Sequence, residues 1–142
     1  MELMRNRFVF GIGIVALAAS LSGCNLTSTT STTAVNYSYV FSSRLAEGGT
    51  AFKSISIPAA GTLKVQYLTG DQSDKILRLG VGTLSGTSCN VAQSVDTAAN
   101  SADSSPQITM TVPISNICIS LKDLGNLTQP SAFTITILLE TT

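Results

Sequence analysis

The chain contains no histidine and no tryptophan, and only 11% of its 142 residues are charged. Without histidine there can be no Ser-His-Asp triad, no Cys-His nucleophile pair and no imidazole metal ligand. Eight basic residues balance eight acidic ones, so the clustered cationic surface that gives most nucleic-acid affinity is missing, and nucleic acid is not an expected partner. There is no Gly-x-Ser-x-Gly elbow, and Ser and Thr are too abundant for any one of them to stand out as a nucleophile. Gly80-Val81-Gly82 sits inside an alternating run with no helix after it, which excludes a nucleotide loop. No cofactor is implied, and an enzyme is not expected for want of an acid–base constellation. What remains is a chain that is 44% hydrophobic, with room for a single domain.

The N-terminus carries the most specific pattern. Arg5 and Arg7 precede an apolar run from Phe8 to Leu21, 14 residues long, which leads directly into Leu21-Ser22-Gly23-Cys24. The run is shorter than the roughly 20 apolar residues of a membrane-spanning helix and has the flanks and length of a secretory signal. The tetrapeptide LSGC resembles the lipobox of bacterial lipoproteins. The resemblance implies a signal peptide over 1–23, a diacylglyceryl group on the Cys24 thiol, cleavage between Gly23 and Cys24, and acylation of the new amino group. Two or three acyl chains anchor stably where one is reversible. Residue 25 is Asn and not Asp, which by the family's sorting rule favours the outer membrane over the inner one.

With the leader go Glu2, Arg5 and Arg7, and the remainder carries six basic and seven acidic residues, a net charge of −1. The lipid is therefore the expected membrane contact. Residues 24–35 begin with the lipidated cysteine and continue as NLTSTTSTTAV, a Ser/Thr-rich flexible tether with no apolar period. Its eleven residues after the cysteine have an r.m.s. span of about 18 Å and a reach of about 36 Å.

From residue 36 to 142 the dominant period is two. Tyr37, Tyr39 and Phe41; Leu63, Val65 and Tyr67; Leu77, Leu79 and Val81; Ile108, Met110 and Val112; Ile117, Ile119 and Leu121; and Phe133, Ile135, Ile137 and Leu139 each alternate with other, mostly polar or small, residues. Phe52 to Ile57 adds a further candidate, stopped by Pro58. Runs of this kind, rich in β-branched and aromatic residues and punctuated by Gly, Pro, Asn and Asp, predict half-buried strands. About seven to eight of them with no helical stretch predict an all-β antiparallel sandwich of jelly-roll-like form. Asn90 to Ser105 is poor in bulky residues and is expected to be a long mobile loop, with a helical turn at Asp96 to Asn100.

Three groups of side chains are candidates for chemistry. Cys89 and Cys118, left over once Cys24 is lipidated, are expected to form a disulfide in an oxidising compartment; the alternative, a free metal or redox pair, lacks CxxC spacing. Asp71 and Asp74, three apart in a turn, are weak candidates for calcium, although Asp in a turn more often bonds its own backbone. Tyr37, Tyr39 and Tyr67 could stack against sugar rings, but alternating strand positions point first to the core.

The stretch Gly61 to Gly82, followed by Cys118-Ile119-Ser120-Leu121-Lys122-Asp123-Leu124-Gly125-Asn126 and Phe133-Thr134-Ile135-Thr136-Ile137, resembles bacterial prepeptidase C-terminal domains. That family consists of jelly-roll-like sandwiches that assist secreted enzymes in secretion or substrate contact. Its usual Asp-x-Asp-Leu reads Ser73-Asp74-Lys75-Ile76 here, so the calcium site implied by the family is not carried over intact. The expectation from the whole chain is a lipid-anchored envelope lipoprotein, exported to the periplasm or cell surface, that binds or assembles with an envelope protein or polysaccharide. The alternative is a carbohydrate- or calcium-binding accessory module serving a separate secreted enzyme.

Overall fold

The computed structural model describes residues 34–100 and 105–141. They form eight strands: β1 (Asn36–Leu45), β2 (Thr50–Ile57), β3 (Gly61–Gly70), β4 (Leu77–Ser85), β5 (Ser88–Thr97), β6 (Ile108–Val112), β7 (Ser115–Asp123) and β8 (Ser131–Thr141). These make two four-stranded sheets, β1-β8-β3-β6 and β2-β7-β4-β5, in which every pairing is antiparallel. Every connection except β4–β5 passes from one sheet to the other, the wrapping of a jelly-roll-like sandwich. The predicted all-β antiparallel sandwich is the observed fold.

The two-residue alternation read from the sequence sets the inner faces. Leu63, Val65 and Tyr67 of β3 and Phe133, Ile135, Ile137 and Leu139 of β8 meet Leu77, Leu79 and Val81 of β4 and Ile117, Ile119 and Leu121 of β7 in one buried cluster. Phe41 and Phe133 pack edge to face, with ring centroids 5.1 Å apart, the arrangement that the ring quadrupole favours. Tyr37 and Tyr39 are half-buried against this cluster. The segment before β1 is tied to the end of β8: the Val35 N–H donates to Thr141 Oγ1 at 2.9 Å and the Thr141 N–H donates to the Val35 carbonyl at 3.3 Å.

One carboxylate fastens two loops. Asp123, only 2% exposed, accepts N–H bonds through Oδ1 from Gly125, Asn126 and Leu127 and through Oδ2 from Gly48 at 2.6 Å. The β1–β2 turn and the β7–β8 loop therefore share one anchor. Gly125 takes φ of 90° there, a conformation that a residue with a Cβ rarely adopts.

One expectation is corrected. The segment from Asn90 is no loop until residue 98; Ser88–Thr97 is the edge strand β5, and no helical turn forms over Asp96 to Asn100. Both faces of β5 are largely exposed, so its sequence has no burial alternation to display. A two-residue loop at Gly86-Thr87, with Gly86 at φ 59°, joins it to β4, the geometry of a tight hairpin turn.

Candidate functional site

The outer face of the β2-β7-β4-β5 sheet carries a groove of about 570 Å³, and the strand registers show how it is built. Across the sheet run three rows of outward-facing positions. The first is Thr50, Lys122, Arg78 and Asp96; the second is Phe52, Ser120, Gly80 and Ser94; the third is Ser54, Cys118, Gly82 and Val91. In the second row, a serine and a glycine stand between an aromatic ring and another serine, so the floor is low in the middle. Phe52 (37% exposed) and Val91 (42% exposed) rise on either side of it.

The middle of the third row, Cys118 and Gly82, is covered by the chain itself. Cys118 points outward from the core yet is fully buried. Strands two places apart in a flat sheet lie roughly 9.5 Å apart, but the Cα atoms of Cys89 on β5 and Cys118 on β7 are 5.7 Å apart and their sulfurs are bonded. β5 must therefore lean across β4. The pairing register slips by one residue between Val81 and Gly82, a bulge that bends and twists the longer strand. Gly82 makes the approach possible, because a Cβ there would run into the Asn90 carbonyl. The expected Cys89–Cys118 disulfide is thus present, and the leaning strand that it secures forms one wall of the groove.

Charge in the groove is one-sided. Arg78 is held by Asp96 through two bonds of 2.6 and 2.8 Å. That bonding raises the guanidinium pKa and holds the Asp96 carboxyl below its ordinary range. Lys122 has no ion-pair or hydrogen-bond partner for its ammonium among the described residues. Thr50, Thr87, Ser88 and Ser94 supply hydroxyls, and no carboxylate lines the groove.

The other residues singled out from sequence fall elsewhere. Cys24, with the leader and nearly all of the tether, lies outside the described residues. Asp71 accepts the Ala132 N–H through Oδ2 at 3.0 Å, and Asp74 pairs with Lys75 at 3.1 Å, which lowers the Asp74 pKa. No group of three or more acidic, cysteine or histidine side chains suited to a metal ion occurs among the described residues. Tyr67 is fully buried, and burial, aided by the Asp71 charge, pushes its phenol above the ordinary value. The Tyr39 hydroxyl donates to the Ser56 carbonyl at 3.3 Å. The three tyrosines therefore form no exposed platform.

The outward aromatic is Phe52, and the sequence did hold a signal for it. Ile55 and Ile57 of the same strand are buried, so Phe52 lies in the opposite phase and must face out. The same parity puts Arg78, Gly80, Ser120 and Lys122 on that face. Comparison of the chain with protein-family models and with curated proteins gives no match.

Proposed function

We propose that the chain is a lipid-anchored envelope lipoprotein, acylated at Cys24, whose β-sandwich acts by binding or assembly and not by catalysis. The observation that carries this reading is the coincidence of Arg5 and Arg7, the apolar run Phe8 to Leu21, and LSGC ending at Cys24. A Cys89–Cys118 disulfide accords with an exported, oxidising location. The groove on the outer face of the β2-β7-β4-β5 sheet offers cations and hydroxyls but no carboxylate or imidazole to serve as a general base, which favours binding over turnover. Asn25 favours the outer membrane as the destination in a cell with two membranes.

The test is metabolic labelling in a bacterial host with an alkynyl fatty-acid analogue. The wild-type chain is expected to take up label and to fractionate with membranes, Cys24→Ala to do neither, and an inhibitor of the lipoprotein peptidase to accumulate a precursor longer by the leader. In a two-membrane host, Asn25→Asp shifts the protein toward the inner membrane. An unlabelled wild-type chain, or label retained in Cys24→Ala, overturns the anchor.

A further inference from the structure

We infer that the groove on the β2-β7-β4-β5 face is a binding site for a saccharide bearing a carboxylate, with Phe52 as the stacking face and Lys122 as the carboxylate's partner. The inference rests on the reading of the sandwich as a binding module and gives that module a ligand class.

Four observations converge on it. First, the floor is the face of a sheet whose strands are already paired on β7 and β4. The backbone groups beneath the groove are spent on those ladders, so an extended peptide cannot be read there by strand addition. Recognition must come from side chains. Second, these are hydroxyls around a single aromatic ring: Thr50, Ser88 and Ser94 with Phe52. A pyranose ring offers an apolar C–H face for the ring and a rim of hydroxyls for the rest. Third, the charge is asymmetric. Arg78 and Lys122 are direct cross-strand neighbours, an unfavourable like-charge pair. Asp96 relieves only the arginine, leaving the Lys122 ammonium open to an incoming anion. One cation suits a carboxylate and is too few for a polyphosphate. Fourth, the volume of about 570 Å³ falls within the range of small-ligand clefts, about 300–1,000 Å³.

The groove is also pre-shaped. β5 is pinned over Gly82 by the disulfide, so its wall does not have to be ordered on binding, and a preformed cleft loses less entropy when filled.

The experiment is titration calorimetry on the full-length chain in detergent, with tetragalacturonate and with the methyl ester of the same tetrasaccharide, which keeps the sugar rings and hydroxyls and replaces each carboxylate by a neutral ester. Saturable binding of the acid is expected, with the ester about tenfold weaker. Lys122→Gln should weaken the acid about tenfold and leave the ester unchanged. Phe52→Ala should weaken both, and Phe52→Leu, which keeps an apolar side chain but no aromatic face, should do the same. No saturable heat with either saccharide overturns the site, as does binding that ignores both positions. Equal affinity for acid and ester overturns the anionic assignment. Self-association of the chain that Phe52→Ala abolishes, with no saccharide binding, would seat a second copy in the groove and also overturn it. Fatty-acid labelling of the same preparation keeps the two readings apart, since a labelled chain that binds neither saccharide loses only the groove assignment.

Discussion

The side chain of Gln107 pairs with the backbone of Tyr67 as though it were another strand residue: the Tyr67 N–H donates to Oε1 at 2.8 Å and Nε2 donates to the Tyr67 carbonyl at 3.2 Å. The strand β6 stops pairing with β3 at Val65, which would leave the edge of β3 open just where the fully buried Tyr67 sits. The Gln107 N–H first bonds the Val65 carbonyl, the Gln107 carboxamide continues the ladder by one rung, and the Asn100 N–H adds a bond to the Tyr67 carbonyl at 2.9 Å.

Gln107→Ala should therefore cost about 1–2 kcal/mol, the lower part of the range for orphaning a buried polar group, because the Tyr67 N–H loses its acceptor while the Tyr67 carbonyl keeps its bond from Asn100. Amide hydrogen exchange gives the residue-level check. The Tyr67 N–H should lose protection by more than the global change in stability, while N–H groups at the centre of β8 should follow the global change.

Asp123 should govern the acid limb of stability. Burial by itself would raise its pKa, but the N–H groups of Gly48, Asn126, Leu127 and Gly125 outweigh burial and leave the carboxyl below its ordinary range. A group whose pKa is depressed on folding contributes stability that is complete above its unfolded pKa and is lost as pH falls through the folded one. Urea unfolding as a function of pH should thus show wild-type stability falling below the ordinary carboxylate range. Asp123→Asn should be less stable at neutral pH and show a flatter acid limb. Asp123→Ala, which leaves four donors without an acceptor, should lose about 2 kcal/mol or more.

Removing the disulfide has a separable effect. Its cysteines are 29 residues apart, a closure worth ~3.5 kcal/mol in the chain-entropy account. The double variant Cys89→Ala with Cys118→Ala should melt where the reduced wild type melts. It should also bind in the groove more weakly, because β5 is no longer held across β4. Unchanged melting on reduction would contradict the assignment.

The two glycines of β4 should differ in kind. At Gly80 an added Cβ meets the Ser120 hydroxyl and the methyls of Val91, side-chain atoms that can turn aside. At Gly82 it meets backbone of Asn90 and Val91. Gly80→Ala should cost about 1 kcal/mol and Gly82→Ala about 3 kcal/mol, the lower and upper parts of the overpacking range. Urea denaturation ranks them, and a fall in disulfide yield only in Gly82→Ala would mark the displaced strand.

How much of this was legible depended on burial. The strands with one face in the core announced themselves by alternation, down to Phe133, Ile135, Ile137 and Leu139. β5 did not, because an edge strand with both faces wet imposes no period on its residues. The disulfide could be read from the number of cysteines and the expected compartment. Its setting could not, since Cys118 occupies an outward position and is buried only because β5 leans over it. Phe52 was recoverable from parity against Ile55 and Ile57. The pairing of Arg78 with Asp96, which leaves Lys122 alone, was not, because it depends on the register of a strand that the sequence concealed.

The bonds between Val35 and Thr141 bring the two ends of the sandwich together. Its entry and exit are laced together on neighbouring strands, and a few residues would bridge them. A permuted protein, with Thr141 linked to Val35 and new ends opened between Asp74 and Lys75 in the β3–β4 turn, away from the groove lining, would keep every rung of both sheets. It would also hang from the opposite end of the two sheets, where β3 ends and β4 begins, presenting the groove to its surroundings from a different side. Comparing the two forms on a common tether would separate what the groove binds from how the domain is held out to meet it.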